Sequence, residues 1–110
     1  MTRLKIIRAE LKHIFPEAKV EVLPELNSLY LSLHRSKIIL ETTTDEQGNN
    51  RAFLKSHWDS NPNVVGQTIL TVSKLFKDLT IEKNFIFDDK GEVFEAIETE
   101  DIPTEKDTKH

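Results

Sequence analysis

One stretch of this 110-residue chain brings an imidazole, an indole and a carboxylate together: His57-Trp58-Asp59, followed by Ser60 and Asn61. A histidine beside an acid is the least equipment that can move a proton, so His57 and Asp59 are the candidates for acid–base chemistry if the chain is a small enzyme of unrecognised type. The same run also reads as the start of a helix. Asp59, Ser60 or Asn61 can accept from the orphan amides of a first turn, Pro62 suits the first helical position, and Trp58 can pack as a staple over Val65 or Ile69. The capping reading is preferred, because Asn61-Pro62 stands directly before the clearest helical pattern in the chain.

Other chemistries lack their residues. The histidines at 13, 34, 57 and 110 show neither an i, i+4 spacing nor a His-x-His run, so no metal site is assigned. Glu41, Asp45 and Glu46, like Asp88-Asp89-Lys90-Gly91-Glu92, lack the oxygen-ligand spacing of a calcium loop and read as solvated turns. Three glycines offer no phosphate loop and no Gly-x-Ser-x-Gly elbow. The absence of cysteine removes disulfides, thiolate ligands and cysteine nucleophiles together. No catalytic set and no cofactor is assigned, and the chain is expected not to be an enzyme.

Charge gives a different kind of candidate. The net charge is −4, but residues 1–40 hold seven Lys/Arg against four Asp/Glu and residues 41–110 hold eight against fifteen, that is +3 and −7. The overall deficit argues against generic nucleic-acid affinity, which needs a clustered basic footprint. Such a footprint is available only from Arg3, Lys5, Arg8 and Lys12, helped by Arg35 and Lys37. A first helical turn normally gains from acids, yet this one carries two bases and the helix has Glu10 as its only acid. The six bases are therefore candidate contacts for an acidic partner, although a solvated helix face explains them equally well.

These residues need elements to hold them. Leu4, Ile7, Leu11 and Ile14 recur at helical spacing over residues 2–15, with Thr2 as a cap and Pro16 as the stop. The period then switches to two: Ala18, Val20 and Val22 mark one strand, and Leu29, Leu31 and Leu33 a second. His34-Arg35-Ser36-Lys37 leads into a third at Ile38–Thr42, so the basic pair lies at a hairpin tip. After the turn Asp45–Asn50, residues 51–58 form an edge strand or one helical turn, the edge strand being preferred. A second helix follows on Val65, Ile69, Val72, Phe76 and Leu79. Ile81–Phe87 and Glu92–Ile97 close the domain as a hairpin turning at Gly91.

The fold class is thus α+β: an N-terminal helix, a three- or four-stranded antiparallel meander, a second helix and a C-terminal β-hairpin. Helix, three strands and helix resembles the element order of double-stranded RNA-binding domains and of small acidic secretion chaperones, but no motif of either is present and element order alone carries little functional weight. Residues 1–102 are expected to be one domain and 103–110 a mobile tail, the end of a stretch from Glu98 that is acidic overall. Apolar residues at 37% and charged residues at 31% fit a folded chain. No apolar run suits a signal peptide or a membrane span, and a cytoplasmic location is expected.

Tyr30 and Ile39 fall opposite the leucine-rich faces of their strands, with Phe53 as a possible neighbour. A sheet that is apolar on both faces needs a second cover, for which the second helix is preferred; otherwise the face is a homodimer or partner surface. By elimination the expected function is a non-catalytic protein-interaction module of the inhibitor, immunity or adaptor type. The candidate contacts are Arg3, Lys5, Arg8, Lys12, Arg35, Lys37, Tyr30 and Ile39. The alternatives are nucleic-acid binding through the basic helix and hairpin tip, and an enzyme around His57 and Asp59.

Overall fold

Thr2 and Pro16 bracket the first element. The computed structural model describes residues 2–101, and in it helix α1 (Arg3–Ile14) begins where the Thr2 hydroxyl accepts from the Lys5 amide at 3.3 Å and ends two residues before Pro16. Leu4, Ile7 and Leu11 are its buried stripe. Lys12 and His13 fall in the last turn, where the helix dipole favours positive charge.

Four strands follow as an antiparallel meander: β1 (Lys19–Leu23), β2 (Ser28–Leu33), β3 (Ser36–Thr44) and β4 (Asn50–His57). Their turns use local chemistry. Asn27 and His34 take left-handed backbone angles, φ 49° and 54°, and His34-Arg35 alone connects β2 to β3. The Asp45 carboxylate accepts from the Gln47 and Asn49 amides at 2.9 and 2.8 Å, shaping the β3–β4 turn.

The meander then extends into a larger sheet. Asn61 caps helix α2 (Pro62–Leu75), which carries the chain back so that β5 (Thr80–Phe87) runs parallel to β4, and β6 (Val93–Glu98) returns antiparallel through Gly91 at φ 85°. The result is one six-stranded sheet in the order β1-β2-β3-β4-β5-β6. The segment 51–58, expected as an edge strand, is therefore an interior strand as far as His57, and the closing hairpin widens the same sheet. Alternation along β4 reveals two faces but says nothing of a parallel neighbour brought in by a helical crossover.

Both helices lie on one face. Val64, Val65 and Val72 of α2 join Leu4, Ile7 and Leu11 of α1 in a single core with Val20, Leu29, Leu31, Ile38, Leu40, Ala52, Leu54 and Ile81. Burying a side chain such as Leu29 or Leu54 contributes about 1.5–3 kcal/mol. α2 ends at Leu75, so Phe76 becomes its C-cap, and Ile69 and Phe76 sit at the rim of the core. Thr68 and Thr71 share the buried side because their hydroxyls return to the Val64 and Gln67 carbonyls, each at 2.8 Å.

The expected cover of the second face by α2 is thus overturned, for a reason of size. Six strands are roughly 24 Å wide and a helix covers roughly 10 Å, so two helices side by side are used up on one face. Residues 103–110, expected to be a mobile tail, lie outside the described residues. Among the described residues no helix is long and apolar enough to cross a membrane.

Candidate interaction surface

The face without helices is built by cross-strand register. Glu21 pairs with Tyr30, Tyr30 with Ile39, Ile39 with Lys55, Lys55 with Phe85, and Phe85 with Ala96, so these residues form one row across all six strands. A second row holds Glu41 opposite Phe53, and a third His57, Phe87 and Val93. Tyr30 is 40% exposed, while Ile39, Phe53, Phe85 and Phe87 are half-buried with none of them in the core.

Charges are interleaved with these apolar groups and neutralise one another. Lys55 reaches Glu41 at 3.2 Å, Lys19 reaches Glu21 at 3.6 Å, Arg51 reaches Glu82 at 3.9 Å and Lys83 reaches Glu98 at 3.9 Å. The Arg51 guanidinium also lies 5.7 Å from the Phe53 ring centre. The surface is mixed rather than oily.

At one end of this face His57 forms a clasp. One ring nitrogen, Nε2, lies 2.6 Å from Asp89, and the other, Nδ1, accepts the Asp59 amide at 3.2 Å. With Nδ1 accepting from the Asp59 amide, Nε2 is the nitrogen that donates to Asp89. Trp58 donates its indole N–H to the same Asp89 oxygen at 3.2 Å, and its backbone amide donates to Phe87 at 3.0 Å. The hydrogen bond from His57, then that from Trp58, holds the Asp89 carboxyl below its ordinary value. Trp58 stays 54% exposed, tied to the β5–β6 turn instead of serving as the expected staple.

The two residues proposed for acid–base work thus meet through the backbone. The Asp59 carboxylate faces Arg35 at 3.4 Å, while the carboxylate on His57 belongs to Asp89, thirty-two residues away and invisible to local spacing. Both ring nitrogens are engaged within the chain. Beside them a groove of about 550 Å³ opens between the β2–β3 turn and the start of α2, lined by His34, Arg35, Asp59, Ser60 and Asn61. Its polar groups serve the fold: Ser36 accepts the Asn61 amide at 2.9 Å and Ser60 accepts the Lys37 amide at 3.1 Å. Among the described residues no group of three or more acids and histidines could hold a metal ion.

The six candidate bases divide between separate places. Arg8 donates from Nε to the Val20 carbonyl at 2.9 Å, and Lys12 donates to the carbonyls of Ala18 at 2.7 Å and Pro16 at 3.1 Å. Arg3 pairs with Asp78 and lies over the Phe76 ring, 5.2 Å from its centre. Lys5 is exposed on α1, Arg35 pairs with Asp59, and Lys37 is exposed on the open face. Tyr30 and Ile39 are brought together as direct neighbours. Sequence reasoning missed Phe85, Phe87, Lys55 and Asp89; the alternation Phe85-Ile86-Phe87 carried the signal for the first two.

Comparison with protein-family models, with curated proteins and with solved structures found no match to this chain.

Proposed function

We propose that this chain is a non-catalytic protein-interaction module that meets its partner through the open face of the sheet. The observation that carries this reading is the row Tyr30, Ile39, Lys55 and Phe85 with Phe53 beside it, exposed or half-exposed and outside the core, on a face to which neither helix contributes. Aromatic groups set among satisfied charges are what a protein surface that binds and releases another protein offers. Nucleic acid finds less support here, because Arg51, Lys55, Lys83 and Lys19 already face carboxylates of their own chain.

The test places a photo-crosslinking phenylalanine analogue at Phe53 or Tyr30, and at Lys5 on α1 as a control, in the native host. A discrete protein adduct from the face positions and none from Lys5 is the expected result. Adducts only from Lys5, or adducts only with nucleic acid, would overturn the reading.

A further inference from the structure

The two edges of the sheet are finished differently. Beside β1 the carbonyls of Ala18 and Val20 are taken by Lys12 and Arg8, so the chain's own side chains occupy that edge. Among the described residues β6 pairs with β5 on one side and has no strand on the other, and every residue from Val93 to Glu98 except Ile97 is exposed. A free strand edge is a row of donors and acceptors ready for another strand.

The register of β6 specifies what that strand must carry. The irregularity in the β5–β6 ladder is confined to Phe94, leaving Glu95-Ala96-Ile97-Glu98 regular. A strand laid alongside places one side chain opposite each of these four. Bases complement Glu95 and Glu98, and apolar groups complement Ala96 and Ile97, so the complementary order is basic, apolar, apolar, basic in either chain direction. Glu98 shares Lys83 at 3.9 Å with both side chains about half exposed, while Glu92 and Glu100 are exposed and add to the negative rim. A second copy of β6 fits poorly: aligning Ala96 with Ile97 of the copy sets Glu95 against Glu98 at both ends, and like charges directly opposite are destabilising.

We propose that β6 accepts an extended segment of a partner protein with the pattern basic-apolar-apolar-basic, which adds a seventh strand to the sheet. This rests on the reading of the chain as an interaction module and extends its surface from the open face round the β6 edge. Val93 and Phe94, 49% and 58% exposed at the start of β6, give the added segment apolar contact beyond the four paired positions.

The probe is the capped hexapeptide Thr-Lys-Val-Val-Lys-Thr, titrated into the full-length, nitrogen-15-labelled protein to about 5 mM, enough to detect millimolar dissociation constants. Saturable amide shifts concentrated at residues 93–98, with slowed exchange of β6 amides, are expected. The counterpart with Glu in place of Lys should bind about tenfold more weakly, and E95K/E98K should reverse that preference. No β6 shifts at 5 mM, or equal shifts with both peptides on the unmodified protein, would overturn the proposal. The crosslinks from Phe53 or Tyr30 report separately: adducts there without β6 shifts would remove the edge and keep the face, and β6 shifts without adducts would do the reverse.

Discussion

Leu29 and Tyr30 are neighbours on one strand, yet they belong to surfaces built on different rules. Leu29 faces α1 and α2, is fully buried, and joins a continuous aliphatic core that runs from Leu4 to Ile81. Tyr30 faces the other way, with Glu21 and Ile39 as its cross-strand partners. On the helix side Ser56 donates to Asn84 at 3.0 Å, both side chains being buried. On the open side four ion pairs are interleaved with the aromatics. The first side holds the core; the open-face residues Tyr30, Phe53 and Phe85 lie outside it.

Alanine at each neighbour tests that division most sharply. Leu29→Ala should cost about 2–5 kcal/mol, from lost burial plus the cavity left behind. Tyr30→Ala should cost less than about 1 kcal/mol. Urea melts of the two variants measure both, and comparable losses would mean that the open face is as structural as the core.

The order of elements and the leucine face were legible because strict alternation and helical spacing report local geometry. Thr2, Pro16, Asn61-Pro62 and Gly91 each act within a few residues of themselves, and each marks the boundary expected of it. What was not legible depends on distance. The parallel placement of β5 beside β4, both helices sharing one face, and Asp89 meeting His57 all follow from the crossover through α2, which no local spacing encodes. The bases on α1 show the same limit: in sequence they stand out as an unexplained choice, and in the fold two of them satisfy carbonyls at the β1 edge.

That edge gives the next contrast. Arg8→Ala should cost about 0.5–1.5 kcal/mol, the net worth of one hydrogen bond, and should speed amide exchange in β1 while leaving β6 unchanged. The double reversal of Arg8 and Lys12 to Glu distinguishes this role from partner contact. Lowered melting temperature with the face crosslinks retained supports edge protection; unchanged stability with lost crosslinks would return the bases to the binding surface.

The smallest effect concerns acid. The Asp89 carboxyl is held below its ordinary value of 3.8, first by the His57 hydrogen bond and then by that of Trp58. A carboxyl whose folded value is depressed stabilises the fold above its unfolded value and loses that contribution as pH falls through the folded value. Asp78 is depressed in the same direction by Arg3 and then Asn50, so it steepens the acid side of every variant equally. Comparing the unmodified protein with Asp89→Asn isolates the clasp. The melting temperatures should differ at pH 6, and the gap should begin to narrow only as pH falls towards 3.8 and close once it has passed the lower folded value. Leu29→Ala, on the face without charge, should run parallel to the unmodified protein over the same range. Parallel curves for Asp89→Asn as well would mean that the clasp contributes nothing to the acid response, and that the two faces do not differ in this respect.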